Sequence, residues 1–433
     1  MSQSLTQTSR TMGTMPVFMT AVSTILGAIL FLRFGYSVAH VGLFLTLMII
    51  LIGHAVTIPT AMAVAEIATN QRVEGGGAYY IISRSFGLNI GGAIGIALFL
   101  SQAISVAFYI IAFTAAIPID WLNLQMAANY PEWAFVLKEY HVNFFLMSFL
   151  TALMLTKGAN VGVKALYVVV AILLASLAMF FMGGTDYDPG GIDWFARLGR
   201  AGERGAPDDF FTVFTIIFPA FTGIAAGLGL SGDLRDPKRS IPQGTLWATV
   251  VGIFVYVAVA FKLYYSAPQE DLADNELIME QIALWGPIIP IGLACAALSS
   301  ALGSVMIAPR TLQALGTDQI LPKSPSSWLS KARAKDNEPR NASIITCVIA
   351  FFFVSLGELD VVARVISMFF MLTYGAICMV SFFEHMAADP HYRPTFKSKW
   401  YVSLGGGILC LVLMFKMVPS YATASLIVMT LIY

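Results

Sequence analysis

Two stretches of the sequence place Gly or Pro beside hydroxyl-bearing residues inside apolar runs. They are Ser23-Thr24-Ile25-Leu26-Gly27-Ala28 and Pro219-Ala220-Phe221-Thr222-Gly223-Ile224-Ala225-Ala226-Gly227. A helix that breaks inside a bilayer frees N–H groups on one side of the break and C=O groups on the other. Free amides at a half-helix start suit an anion, and unwound carbonyls suit Na+ or K+. For a single glycine, close helix packing explains the residue equally well.

Hydroxyl groups in other apolar runs could complete an ion site. Ser299 and Ser300 are adjacent in the run Ala296-Ala297-Leu298-Ser299-Ser300-Ala301, and hard cations prefer oxygen ligands. Tyr109 and Tyr374 could each donate to an anion or offer an oxygen to a cation. Membrane serines often bond back to their own helix and tyrosines often only pack, so both interpretations stay open here.

Enzyme chemistry is not predicted, because nucleophile-base pairs, Gly-rich phosphate loops and His/Cys metal-ligand spacings are missing from the sequence. Arg33, Glu66, Lys262 and Glu384 are expected near span ends, where they reach water, so a proton relay is not predicted either. The cysteines are expected to be small buried hydrophobes without a redox or metal role: Cys295, Cys347, Cys378 and Cys410.

The elements that carry these residues are membrane spans. The chain has 433 residues, 58% of them hydrophobic and 12% charged, with a mean hydropathy of +0.76. A span needs about 20 apolar residues. Twelve apolar runs are candidates: 16–38, 42–68, 89–116, 143–156, 161–183, 210–231, 243–266, 288–315, 341–357, 361–383, 400–416 and 418–433.

Charge alternates between successive loops. Basic residues collect in one set, which includes the polar stretch 324–340, and acidic residues collect in the other, as in 186–209 and 270–280. This asymmetry predicts a multi-pass protein of the plasma (inner) membrane with both termini cytoplasmic. Residues 1–13 are polar, so no cleaved signal peptide is predicted. The net charge of zero gives no reason to expect a nucleic-acid partner.

The two interrupted runs lie five spans apart, which is typical of an inverted-repeat transporter. The predicted fold class is therefore an all-α polytopic membrane protein. Its expected organisation is a cytoplasmic tail 1–15, helices one to five in 16–183, an extracellular loop 184–209, helices six to ten in 210–384, and helices eleven and twelve in 385–433.

Five segments resemble the cation-chloride cotransporter family of the amino acid-polyamine-organocation superfamily. They are Ile25–Arg33, Ala68–Gly95, Phe218–Thr245, Ala297–Pro322 and, more weakly, Ile366–His385. The resemblance is strongest in SGDLRDPKRSIPQGT, and it covers nearly the whole membrane domain of a minimal prokaryotic-type member. It implies a LeuT-like fold with a 5+5 inverted repeat, two additional C-terminal helices and twelve transmembrane helices in all.

The resemblance also implies three ion sites. The sodium site would use Ser23, Leu26, Ala296, Ser299 and Ser300. The potassium site would use Thr24, Ile25, Tyr109, Pro219 and Thr222. The chloride sites would use the amides of Gly27, Ala28 and Ile29, and those of Gly223, Ile224 and Ala225 with the Tyr374 hydroxyl. The family usually has asparagine at the position of Thr24, and some sodium-coupled members have tryptophan at that of Leu26.

The predicted function is symport of chloride with sodium and/or potassium by alternating access. No cofactor is expected, and Na+, K+ and Cl− are substrates. The expected partners are these ions and the lipid bilayer, with a homodimer left open. An amino acid carrier of the same superfamily is the first alternative, and an ion channel or a transport-dead scaffold or sensor is the second.

Overall fold

The structure is a computed structural model that describes residues 13–70, 78–129, 136–157, 163–199, 206–224, 234–333, 338–387, 392–420, 422–423 and 427. Within these ranges the chain is all-α. The helices are α1 (Thr14–Ile25), α2 (Ala28–Asn70), α3 (Ala78–Ala115), α4 (Ile119–Asn129), α5 (Glu139–Lys157), α6 (Val163–Met182), α7 (Phe210–Ile217), α8 (Pro237–Ser266), α9 (Gln269–Asp274), α10 (Ile278–Ile282), α11 (Ile288–Thr317), α12 (Lys323–Leu329), α13 (Arg340–Leu356), α14 (Leu359–Ala387) and α15 (Trp400–Met417). A five-residue 3-10 helix, Phe218–Thr222, directly follows α7.

Six helical stretches in the described residues are long and apolar enough to cross a membrane: Thr14–Asn70, Gly87–Ala115, Pro237–Ser266, Ile288–Thr317, Leu359–Ala387 and Trp400–Met417. Four shorter apolar helices accompany them: Glu139–Leu155, Tyr167–Met182, Phe210–Thr222 and Arg340–Leu356. These helices coincide with the first eleven predicted apolar runs, whereas most of the twelfth run, 418–433, lies outside the described residues.

Two of the long helices change direction at glycines. In α2, Gly42 has φ 79°, and in α3, Gly87 has φ 80°. Residues with a Cβ rarely adopt this left-handed region, so glycine makes the turn at little cost. Each long helix is therefore two segments, and the part of α2 that precedes Gly42 continues the first apolar run.

The interrupted segments lie inside the bundle. Helix α1 packs against α8 and α11, while α7 and the 3-10 helix pack against α2 and α14. Helix α3 runs along α11 and α14. This packing surrounds both interruptions with helices from distant parts of the sequence.

The prediction that ionisable residues near span ends reach water is wrong for two of them. Glu66 is 0% exposed and Arg33 is 8% exposed. Both are covered by segments more than 200 positions later in the sequence, and each is paired there: Glu66 contacts His385, and Arg33 contacts Glu276 and Asp360. Three of the four cysteines are buried as predicted, whereas Cys295 is half-buried.

Candidate functional site

The first predicted interruption is a true break in the helix. Helix α1 ends at Ile25, Leu26 donates its amide to the Val22 carbonyl at 2.8 Å, and α2 begins at Ala28. In the described part of the chain, no backbone carbonyl accepts a hydrogen bond from the amides of Gly27, Ala28 or Ile29. These are the three amides predicted for the first chloride site, and all three residues are buried.

The second interruption begins where α7 gives way to the 3-10 helix. Pro219 has no amide hydrogen and favours such a change of helix type. The Thr222 hydroxyl donates back to the Pro219 carbonyl at 2.7 Å, and Gly223 follows as the C-terminal cap. Ile224 is buried beside it, while the predicted ligand Ala225 lies outside the described residues.

The two interruptions contact each other through Gly223. A Cβ added at Gly223 would lie 2.9 Å from the Ile25 amide nitrogen, 2.9 Å from the Ala21 carbonyl oxygen and 2.5 Å from the Ile25 side chain. Two of these three neighbours are backbone atoms, so they cannot move aside easily. Glycine is therefore required for this close approach. The same residue ends the 3-10 helix and lets the two interruptions pack together.

Tyr256 joins the two breaks, and sequence reasoning did not select it. It is a fully buried residue of α8 whose hydroxyl contacts the Ile25 carbonyl oxygen and lies 2.8 Å from the Ala220 carbonyl oxygen. Its ring stacks on Phe34 with centroids 5.0 Å apart. Tyr256 lies deep in an apolar run, as Tyr109 and Tyr374 do, and this was the one signal that could have identified it.

Helix α14 holds the second break with two further side chains. The Tyr374 hydroxyl donates to the Thr222 carbonyl at 2.6 Å, and the Ser367 hydroxyl donates to the Thr215 carbonyl at 2.7 Å. Tyr374 therefore bonds, through its hydroxyl, the carbonyl side of the peptide group whose amide belongs to Gly223. Its hydroxyl donates to a carbonyl oxygen in this structure.

The two serines of α11 differ. Ser299 donates back to the Ala296 carbonyl at 3.0 Å, whereas the buried hydroxyl of Ser300 makes no such bond to its own helix and interacts with Tyr109 of α3. Ser300 lies beside Tyr109, which in turn lies near Tyr256, so α3, α8 and α11 meet at the breaks.

The remaining predicted cation ligands lie in the last turn of α1. The hydroxyls of Ser23 and Thr24 both bond back to the Thr20 carbonyl, each at 3.0 Å. Each hydroxyl already uses its hydrogen on its own helix, so it can meet a cation only through its oxygen lone pairs.

One side of the breaks is closed by charged residues. Arg33 lies five residues after Ala28, the first residue of α2, which is about 7.5 Å along the helix. Its guanidinium group contacts Glu276 at 2.8 Å and Asp360 at 2.7 Å, so it ties α2 to the α9–α10 connection and to α14. Nearby, the Tyr36 hydroxyl donates to Asp208. These contacts lie on the side that the charge pattern predicts to be extracellular.

Interrupted spans whose free amides and oxygen atoms meet within a helical bundle are suited to moving a solute, and the comparisons with known proteins agree. The amino acid permease family matches residues 16–433. The chain belongs to that family. The permease is thus a multi-pass membrane transporter and not an enzyme.

Three relatives are similar to the permease. Solute carrier family 12 member 2 of Homo sapiens is 32% identical over 92% of the permease and 36% of its own length. Solute carrier family 12 member 1 of Mus musculus is 32% identical over 92% of the permease and 40% of its own length. Member 9 of Danio rerio is 29% identical over 95% of the permease and 49% of its own length. These relatives confirm the predicted resemblance. The permease spans between about a third and a half of their lengths.

Proposed function

We propose that the permease is a secondary symporter that moves chloride together with sodium and/or potassium by alternating access. The observation that carries this proposal is the contact between the two breaks. The amides of Gly27 to Ile29 are free within the described part of the chain, and they lie a few residues along the chain from the Ile25 carbonyl. The Tyr256 hydroxyl brings this carbonyl together with the Ala220 carbonyl of the second break. Amides stabilise an anion, and carbonyl oxygens stabilise a cation.

Placing both ion signs together also accounts for coupling. An isolated ion in a low-dielectric protein interior loses much of its hydration energy, and a neighbouring ion of opposite sign offsets part of that loss. Each ion should therefore bind more tightly when its counter-ion is present. Transport of chloride would then depend on the cation, and transport of the cation on chloride.

The proposed ligands are those expected from the resemblance. Sodium would bind at Ser23, Leu26, Ala296, Ser299 and Ser300, and this set is supported by the buried Ser300 hydroxyl, which makes no bond to its own helix. Potassium would bind at Thr24, Ile25, Tyr109, Pro219 and Thr222. Chloride would bind at Gly27, Ala28 and Ile29, and at Gly223, Ile224 and Ala225 with Tyr374.

The proposed architecture is a LeuT-like 5+5 inverted repeat followed by two helices, twelve in total. Its parts would be the tail 1–15, the first repeat 16–183, the loop 184–209, the second repeat 210–384 and the last pair of helices 385–433. The break at Gly27 and the one that begins at Pro219 support the repeat, because they fall in corresponding helices. We propose the plasma membrane as location, cytoplasmic termini and a homodimer as the assembly.

Ion flux in proteoliposomes tests the proposal. Uptake of radioactive chloride, sodium and rubidium (as a potassium tracer) would be measured with each of the other ions omitted in turn. We expect chloride uptake to fall at least tenfold when the coupling cation is removed. Protein-free liposomes give the leak, and an ionophore that clamps the membrane potential separates chemical coupling from electrical coupling. Chloride uptake that persists without both cations would overturn the proposal.

An amino acid carrier is the second candidate, because the family that matches the chain is described as amino acid permease. In that case the amides of Gly27 to Ile29 would bind a substrate carboxylate in place of chloride. Uptake of a labelled amino acid mixture in chloride-free buffer would support this candidate, and its absence together with cation-dependent chloride uptake would reject it.

A further inference from the structure

A buried carboxylate lies at the opposite end of the bundle from Arg33. Glu66 is near the end of α2 and is 0% exposed. Its Oε2 accepts hydrogen bonds from the Ser381 hydroxyl at 2.9 Å and the Ser398 hydroxyl at 2.5 Å. Its Oε1 has no hydrogen-bond partner of good geometry among the described residues, and it forms an ion-pair contact of 3.2 Å with the His385 Nε2.

His385 is surrounded by acceptors at both ring nitrogens. Nδ1 lies 2.8 Å from the Ser381 carbonyl oxygen. Nε2 lies 3.2 Å from the Ser398 carbonyl oxygen and 3.2 Å from Glu66 Oε1. A neutral imidazole carries one N–H, so one of its nitrogens would point a lone pair at these oxygens. The imidazolium form, with a proton on each nitrogen, satisfies both sides.

We propose that Glu66 and His385 form a proton-binding site, separate from the ion sites at the breaks. The proton sits between His385 Nε2 and Glu66 Oε1. With the proton bound, the pair is neutral overall and every surrounding acceptor faces an N–H or O–H donor. Without it, the neutral imidazole donates on one side only, and its other nitrogen points a lone pair either at the Ser381 carbonyl oxygen or at the buried Glu66 carboxylate, which is unfavourable in a buried site.

Two other titratable groups lie at the pair. The Tyr392 hydroxyl interacts with the Glu66 carboxylate, the Tyr392 ring lies 6.3 Å from the His385 ring, and Glu384 lies near Tyr392. The neighbour Ser403 contributes an uncharged hydroxyl 2.9 Å from that of Ser381. Imidazole groups in general change charge between pH 5 and 8, so the experiments below compare pH 6 with pH 8.5.

The site joins parts of the chain that are far apart in sequence. Glu66 belongs to α2, His385 belongs to α14, and Ser398 lies in the segment before α15. That segment also contacts the end of α2, where the Arg393 amide donates to Asn70 at 2.7 Å and the Phe396 amide donates to the Thr69 hydroxyl at 3.2 Å. Loss of the proton should loosen this junction, so the bound proton stabilises the conformation described here.

Thermal unfolding of the purified full chain tests the site without any need for transport. The apparent Tm of the wild type and that of His385→Gln would each be measured at pH 6 and at pH 8.5. The fall in Tm between these pH values should be about 3 °C larger for the wild type than for the variant. Glu66→Gln should remove the same part of the pH dependence, and the double variant should remove no more than either single one. His141→Gln, at the start of α5, is the matched control and should keep the wild-type profile.

The transport readout is chloride uptake with equal pH on both sides of the liposome membrane. The wild-type rate should change at least threefold between pH 6 and pH 8.5, and the change in His385→Gln should be under 1.5-fold. A His385→Gln protein with the wild-type pH profile in both Tm and uptake would overturn the proposal. If no chloride is taken up at all, the proposed function fails and the Tm comparison still decides this site.

Discussion

The first and the second break differ in length and in what holds them. The first spans only Leu26 and Gly27, and the hydrogen bonds that shape it are local: Leu26 to Val22 at 2.8 Å and Leu30 to Gly27 at 3.1 Å. The second includes a 3-10 helix of five residues, and side chains from α8 and α14 bond its carbonyls. Of these two side chains, that of Tyr256 in α8 also contacts the first break, at the Ile25 carbonyl oxygen. Changes in α14 should therefore affect the second break more than the first, whereas changes at Tyr256 should affect both.

The largest effect is expected where the two breaks meet. Gly223→Ala would put a Cβ 2.9 Å from two backbone atoms of α1, and overpacking of this kind costs about 1–3 kcal/mol. We expect chloride uptake to fall at least tenfold, because the breaks could no longer pack together. Gly303→Ala in α11 is the control, since a Cβ there meets nothing within 4 Å, and it should change uptake less than twofold. Normal uptake by Gly223→Ala would show that the contact is dispensable.

A second effect tests whether the first break depends on a side chain of α11. Ser300→Ala removes a buried hydroxyl whose described polar neighbour is Tyr109 and which makes no bond to its own helix, so folding stability should fall by no more than about 1 kcal/mol. The sodium concentration that gives half-maximal uptake should rise about tenfold, because a proposed ligand is lost. A contact between a polar group and a charge contributes about 1.5 kcal/mol, which corresponds to this factor. Ser299→Ala should have a smaller effect, and the double variant should abolish sodium dependence. Sodium dependence that survives in the double variant would reject the sodium site.

A third effect separates Tyr256, which contacts both breaks, from Tyr374, which bonds a carbonyl of the second. Tyr256→Phe removes the single hydroxyl that faces the Ile25 and Ala220 carbonyls, so a buried carbonyl loses its donor at a cost of about 1–3 kcal/mol. We expect the concentrations of cation and of chloride that give half-maximal uptake to rise about fivefold. Tyr374→Phe should mainly raise the chloride concentration for half-saturation, because its hydroxyl donates to a carbonyl of the second break. Equal ion selectivity of the two variants in flux assays would mean that the breaks act as one unit.

The smallest effect concerns how the two interrupted segments begin. Asp209 caps α7 by accepting hydrogen bonds from the amides of Phe211 and Thr212, whereas Gly13 gives α1 no side-chain cap. Asp209→Ala should cost about 1 kcal/mol of stability. The Thr212 hydroxyl bond and the backbone amides hold the pKa of Asp209 below its usual value. The stabilisation is therefore present above about pH 4 and is lost as pH falls through the lowered pKa.

The difference between the wild type and Asp209→Ala should accordingly shrink in strongly acidic buffer. Unfolding in detergent at neutral pH and at about pH 3 would measure it. A constant difference across this range would show that the carboxylate charge does not contribute to the cap.

Most of the helical fold was predictable because hydrophobic length is a property of consecutive residues. The same holds for the break at Gly27, where glycine within an apolar run weakens the helix locally. Pro219 and Gly223 marked the second break in the same way. Ser300 and Tyr374 were selected as hydroxyls in apolar surroundings, and the structure brings both to the breaks.

Other features were not predictable from single positions. Tyr256 has the same apolar surroundings in the sequence as a tyrosine that only packs. Glu66 and Arg33 were expected to reach water because each lies near a span end, yet partners more than 200 positions away bury them. The position of a residue along its span can be counted in the sequence. Whether another helix packs over its side chain cannot be counted in this way.

The sequence by itself determined that this chain is a helical membrane transporter, and it determined where two spans lose their regular hydrogen bonds, because both depend on residue type over short stretches. The tertiary structure decided which groups meet at those breaks and which carboxylate lies against His385. Such meetings depend on how separate helices pack, and packing is set by contacts between residues that are distant along the chain.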